Sequence, residues 1–244
     1  MPGYILPNNV QLNYTVDYLG LVTIHSAIIP ETNPDYISIP AQIDGYNVDA
    51  LSDDCFKESP FKKIELPDTL RYIGNDAFSK SSIEEITLPK HLIVLGNHCF
   101  SFCHNLKNIN IKEGLTRIPT SCFQECTSLK NINLPKSLEF IAFGSFSGCY
   151  GLENVIIPKN VDMIASTAFY SCGLRSVTFL GESTNLYVNA FEKNSNMMVK
   201  CIKGSTVDEN FNSWFPENCT KRYAISDIGA FLNDIIKIEN TQEK

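Results

Sequence analysis

Nine cysteines and four histidines are the residues of this 244-residue chain best suited to metal or nucleophilic chemistry, and their spacing decides whether they perform it. His98, Cys99, Cys103 and His104 fall within seven residues and supply the imidazole and thiolate donors that tetrahedral zinc uses. A structural zinc site needs paired ligands, and neither histidine belongs to a paired motif elsewhere. Cys103, Cys126, Cys149 and Cys172 recur 23 residues apart, which makes them one column of a repeat. Cys55, Cys99 and Cys122 each precede a Phe at a position filled elsewhere by Ala77, Ser145, Ala168 and Ala190, so they serve as small core residues. Stacked parallel strands hold such side chains about 4.8 Å apart, beyond the ~3.8 Å between Cβ atoms in a disulfide, so a ladder of free thiols is expected. Cys201 and Cys219 lie outside this register and would pair only in an exported protein. Gly144-Ser-Phe-Ser-Gly148 comes close to a nucleophile elbow, but Phe146 occupies the nucleophile's place. Phosphate-binding glycine loops, His-Glu-x-x-His pairs and calcium loops do not occur. His25, His91, His98 and His104 leave little scope for acid–base catalysis, although carboxylates from distant units can still converge. No catalytic residue, cofactor or metal site is expected.

The elements that position these residues follow from a repeat. Phe56, Phe78, Phe100, Phe123, Phe146, Phe169 and Phe191 succeed one another at intervals of 22, 22, 23, 23, 23 and 22 residues. Five or six residues after each full-unit Phe stands Phe61, Ile83, Leu106, Leu129, Leu152 or Leu174. Three further comes Ile64, Ile86, Ile109, Ile132, Val155 or Val177, and two beyond that Leu66, Leu88, Ile111, Leu134, Ile157 or Phe179. The last positions alternate as in a half-buried strand. Pro67, Pro89, Pro135 and Pro158 follow directly and end it, because proline has no amide proton for a ladder. A second strand is expected around Ile73, Leu95, Ile118, Ile141 and Ile164, and then a compact turn or short helix around Phe. A unit this short cannot bury its own apolar face, so copies must stack. Each buried Phe contributes roughly 1.5–3 kcal/mol.

Leu106-Lys-Asn-Ile-Asn-Ile111, Leu129-Lys-Asn-Ile-Asn-Leu-Pro135, Ile73-Gly-Asn-Asp-Ala-Phe78 and Leu95-Gly-Asn-His-Cys-Phe100 resemble BspA-type leucine-rich repeats. Ile39-Pro-Ala-Gln-Ile-Asp-Gly-Tyr-Asn-Val48 resembles that family's opening unit, and the resemblance spans about Tyr36 to Phe191. It implies a β-rich leucine-rich-repeat solenoid of parallel strands stacked in 22–23-residue units, with short turns or helices between them. The chain departs from the ordinary leucine-rich repeat by lacking the Asn or Cys two residues before a further Leu, which argues against a horseshoe with long outer helices. The resemblance also implies a binding role, with a cell-surface adhesin or antigen as one form of it.

An open solenoid needs caps over its end strands. Tyr14-Thr-Val-Asp-Tyr18 and Leu21-Val-Thr-Ile24, within Gln11 to Ile29, are suited to a β cap. After Phe191 the register is lost, and Phe211, Trp214 and Phe215 form an aromatic cluster near a candidate strand at Met197 to Ile202. From Ser226, a helix is expected to gather Ile228, Phe231, Leu232, Ile235 and Ile236 on one face, with Ser226 or Asp227 as its cap. The expected division is an N-terminal β cap over 1–35, the solenoid over 36–196 and a C-terminal α/β cap over 197–244.

The chain is 43% hydrophobic and 19% charged, which supports a packed core rather than disorder. Its 20 Lys and Arg against 27 Asp and Glu give −7 without a basic stripe, so nucleic acid is not an expected partner. The first 20 residues lack a signal pattern and no run has membrane-spanning length, so a cytoplasmic monomer is expected. The alternative, from the family resemblance, is the cell surface. Asn13-Tyr14-Thr15 and Asn218-Cys219-Thr220 match the glycosylation triplet, which matters only after export.

Alternation predicts that the first strands turn Lys63, Glu65 and Glu85, then Asn108, Asn110, Asn131, Asn133 and Asn154, then Ser176 and Thr178 towards solvent. Such a face can either bind a protein or other macromolecular ligand through many hydrogen bonds or satisfy itself as an Asn ladder. On the second strands, Tyr72, Val94, Arg117, Phe140 and Met163 fall between inward residues and form either an exposed contact patch or a covered one. The expected function is a non-catalytic protein-binding or scaffold module, with the adhesin or an enzyme with a convergent site as alternatives.

Overall fold

The computed structural model describes residues 2–32 and 34–223, so the helix expected from Ser226 lies outside the described residues. The chain winds as a parallel β-solenoid with three sides: a first strand, a second strand and a turn. First strands Tyr36–Ser38, Lys63–Glu65, Glu85–Thr87 and Asn108–Asn110 form one four-stranded sheet. Asn154–Ile157, Ser176–Phe179, Met198–Cys201 and Thr220–Tyr223 form another. Pairing is in register from unit to unit, Ile37 against Ile64, Ile86 against Ile109 and Val155 against Val177. These residues are buried, as period-two alternation requires for the inward face.

The second strands Tyr46–Leu51, Tyr72–Ile73 and Val94–Leu95 extend a sheet that starts with Gly3–Ile5, Gln11–Val16 and Leu21–Ile28. The last two of these pair antiparallel, and Leu21–Ile28 then lies parallel against Tyr46–Leu51. The hairpin thus covers the edge that the first unit would leave open. Arg117–Ile118, Phe140–Ile141, Met163–Ile164 and Asn185–Leu186 make the other second-strand sheet.

The third side is a turn rather than a helix. Two residues before and two after each Phe of the column, the backbone is left-handed, with φ from 49° at Ser121 to 76° at Gly148. Most of these positions are not glycine, and each such residue costs roughly 1–2 kcal/mol. A second ladder between units offsets that cost. The amides of Phe56, Phe78, Phe100, Phe123, Phe146 and Phe169 donate to the carbonyls of Ala77, Cys99, Cys122, Ser145, Ala168 and Ala190 at 2.7–2.8 Å. In the 23-residue units the added residue sits in this turn, where His104, Thr127 and Tyr150 donate to carbonyls two residues back at 2.9 Å.

Inside, the seven Phe rings form a continuous column, with neighbouring centroids 5.0–5.6 Å apart and planes within 11°. Although the sequence register fails after Phe191, the column does not: the Phe215 ring lies 5.4 Å from that of Phe191. Met198–Cys201 and Thr220–Tyr223 likewise extend the parallel ladder, while Thr206–Glu209 and Phe211–Trp214 form short helices. Cys103, Cys126, Cys149 and Cys172 make a second column, their thiols donating to the carbonyls of Phe78, Phe100, Phe123 and Phe146 at 3.0–3.1 Å. All nine cysteines are free and buried. Cys201 pairs with Tyr223 on the next strand, and Cys219 precedes Tyr223 by four residues. The backbone positions of the two cysteines are therefore offset by about 13 Å along the strand direction, beyond the Cα separation of a disulfide.

The stretch 129–134, expected as a strand, retains only a bridge from Asn110 to Asn133. The second strands also part near this level, since Val94–Leu95 and Arg117–Ile118 belong to different sheets. The second-strand break falls at the change from 22- to 23-residue units after Phe100, and the first-strand break follows one unit later. The Phe column and turn ladder continue across both, with Phe100 and Phe123 5.5 Å apart.

Candidate functional site

The first-strand face forms an open groove of about 820 Å³ just before the break. Its floor comes from Lys63–Glu65, Glu85–Thr87 and Asn108–Asn110, together with Asn131 and Asn133. Strand alternation, which buries Ile64, Ile86, Ile109 and Ile132, turns the intervening polar residues into this groove. Leu66, Leu88 and Pro89 form part of its wall, where proline ends the strand.

Most of the charged groups here are engaged, three of them in ion pairs and Glu65 by hydroxyl groups, while Lys112 stands at the rim. Lys63 Nζ lies 2.7 Å from Glu85 Oε1, and Lys90 Nζ lies 3.2 Å from Asp68 Oδ2. Tyr36 and Ser38 donate their hydroxyls to Glu65 Oε2 at 2.5 and 3.1 Å. The Tyr36 hydrogen bond holds the Glu65 carboxyl below its usual range and raises the Tyr36 hydroxyl. The hydrogen bond to Glu85 raises the Lys63 ammonium, and the Lys90 backbone amide lowers the Asp68 carboxyl. These exposed pairs contribute little to stability. Their consequence is a groove whose paired charges leave its neutral amides prominent.

Four predicted residues, Asn108, Asn110, Asn131 and Asn133, come together in this groove and are exposed. Among the described residues, the side chains of Asn108, Asn110 and Asn131 make no hydrogen bond, so these three do not form a self-satisfied ladder. Asn154 lies across the break and accepts from Ser176 Oγ at 2.7 Å. Ser176 is half-buried, and Thr178 is only 9% exposed rather than part of the open face. Thr178 stands in register between the longer Ile156 and Lys200, whose side chains flank its short one. The polar face therefore ends sooner than alternation implies.

On the second-strand face Tyr72 and Val94 are exposed, whereas Phe140 and Met163 are half-buried. The guanidinium of Arg117 lies over the Phe140 ring at 4.5 Å, which interrupts the apolar stripe with a cation. Sequence reasoning did not single out Thr87, Asp68 and Lys112, which also line the groove. Asp68 and Lys112 flank strand ends rather than alternating within them, and only the turn of the chain brings them to the rim.

Among the described residues there is no group of three or more His, Cys, Asp or Glu placed to hold a metal. Cys99 and Cys103 point into the core, while His104 is exposed. Burial pushes the Cys103 thiol up to about 11 and Cys172 up to about 12, opposite to the shift a nucleophile needs. No helix among the described residues is long and apolar enough to cross a membrane.

Comparison with solved structures supports the fold. A leucine-rich repeat protein of T. pallidum is 24% identical, with a TM-score of 0.55, covering 86% of this chain and 83% of that one. A leucine-rich repeat protein from Eubacterium ventriosum is 20% identical, with a TM-score of 0.62, covering 75% of this chain and 50% of that one. The match thus extends over half of the second protein's length, and at these identities both likenesses concern architecture alone. A comparison with curated proteins found no match. The model of the BspA type leucine rich repeat region, with 6 copies, matches residues 49–164, 75–198 and 117–227. With the repeat, the Phe column and the parallel ladders all in agreement, the chain belongs to the BspA-type leucine-rich repeat family.

Proposed function

We propose that this chain is a non-catalytic recognition or scaffold module that binds a macromolecular partner along its first-strand face. One observation carries the reading: an open groove holds the exposed amides of Asn108, Asn110 and Asn131, which have no hydrogen-bond partner among the described residues. Asn154 and Ser176 continue the column of Asn108 and Asn131 across the break, Thr178 being too buried to take part, and Tyr72, Phe140 and Met163 are a second contact face. Residues 1–35 serve in this reading as an end cap on a binding solenoid that runs on from residue 36, and the working unit is a monomer without a cofactor.

The test is recovery of the native partner from source cells with the full chain as bait. Replacing Asn108, Asn131 and Asn154 together by Lys places three cations on the face, and recovery is expected to fall while the circular dichroism spectrum is unchanged. Undiminished recovery by a folded triple variant rejects this face. A cell-surface adhesin or antigen is a second reading, prompted by family membership. Labelling intact cells with a membrane-impermeant reagent separates it from a cytoplasmic scaffold.

A further inference from the structure

We infer that the groove's partner is a short extended stretch of polypeptide without net charge, its backbone held by the amides of Asn108, Asn110 and Asn131. The inference rests on the binding role proposed above for this groove. Charge points to it first. Lys63 and Glu85 are engaged with each other, Glu65 with Tyr36 and Ser38, and Asp68 with Lys90. A charged ligand would have to disrupt these pairs, whereas a neutral one leaves them intact. Lys112 is exposed at the rim.

Geometry supplies the second argument. Asn108 and Asn110 lie two apart on one strand and face the same way, so their origins are about 6.6 Å apart at ~3.3 Å per residue. An extended peptide laid along that strand presents like-oriented backbone groups at the same period of two residues. Asn131 stands on the neighbouring stretch two residues before the bridged Asn133, as Asn108 stands two before Asn110, and lines the same groove. A primary amide carries both a donor and an acceptor, and thereby matches the N–H and C=O of a peptide backbone. The lining runs from Asn108 to Lys112, over the strand and just past its end, which limits the held segment to about five residues. Among the described residues no aromatic ring lines the groove, so a sugar ring would find no flat face there on which to stack.

The probe is an end-blocked hexapeptide of alternating Gln and Thr, titrated into isotope-labelled full chain and followed by the Asn side-chain amide resonances. Lys-Thr and Glu-Thr hexapeptides and cellohexaose are titrated in parallel. The neutral peptide is expected to shift the signals of Asn108, Asn110 and Asn131, with a Kd that changes less than about twofold between roughly 0.05 and 0.5 M salt. Replacing Asn108 and Asn131 by Ala together is expected to weaken it roughly tenfold, as loss of two hydrogen-bonding groups implies. Preference for a charged peptide or for cellohexaose at these amides overturns the inference, as does the absence of any shift at millimolar neutral peptide. If the triple Lys variant loses its native partner while the neutral peptide leaves these signals unmoved, the binding role stands and the inference fails.

Discussion

Three residues after the column Phe, every unit places a small or polar side chain, in order Ser59, Ser81, Cys103, Cys126, Cys149, Cys172 and Asn194. From Cys103 to Asn194, each member donates to the carbonyl of the Phe one unit back, a partner available only when a preceding unit exists. Ser59 belongs to the first Phe unit, and its buried hydroxyl has no partner among the described residues. A buried unpaired hydroxyl costs about 1–3 kcal/mol, so Ser59→Ala is expected to stabilise the protein by about 1 kcal/mol. Cys126→Ala removes a donor from a carbonyl that uses it and is expected to destabilise by a similar or larger amount. Urea midpoints of the two variants check the pair, and a loss of stability in Ser59→Ala contradicts the account. The sequence marked Cys103, Cys126, Cys149 and Cys172 through their spacing, but they read only as a ladder of free thiols. Their common role as donors depends on a carbonyl more than 20 residues away in the chain.

At the scale of the element, the clearest departure from alternation is at 129–134. Leu129-Lys-Asn-Ile-Asn-Leu-Pro135 repeats the pattern of Leu106 to Ile111 almost residue for residue, yet Asn108–Asn110 is a strand and its successor keeps a bridge. Local pattern specifies which side chains turn inward, and Ile132 is indeed buried. Ladder bonds need the neighbouring backbone at the right separation, which depends on how successive units tilt. With fewer bonds to open, the amides of Asn131 to Asn133 are expected to exchange with deuterium faster than those of Glu85–Thr87 or Ser176–Phe179. Equal protection in all three would show that the sheet closes across this level in solution. The groove lies on the N-terminal side of the break, so its position was legible as a stripe of Asn but its limit was not.

For the whole molecule, the stacked core sets the response to pH through its buried thiols. Desolvation raises Cys103 and Cys201 to about 11 and Cys172 to about 12, from an ordinary thiol value of 9.0. As pH rises past 9.0 the unfolded chain releases protons that the folded chain still holds, so linkage favours unfolding. This contribution to stability is present in full below that point and declines as the pH approaches about 11 to 12. Urea midpoints are therefore expected to be level up to about pH 8 and to fall steadily above it, with a shallower fall in a Cys103→Ser, Cys172→Ser double variant. A midpoint that holds constant into that alkaline range would mean the thiols are not desolvated.

What the sequence determined by itself was everything carried by period: the unit length, the inward residues, the Phe column and the Asn stripe. Those follow from burial, which acts on each residue according to its place in a strand. The tertiary structure alone decided the left-handed turns in place of helices, the continuation of the column to Phe215, the burial of Thr178 and the break beside the groove. Each depends on the distance and angle between units, which arise only when many copies settle against one another.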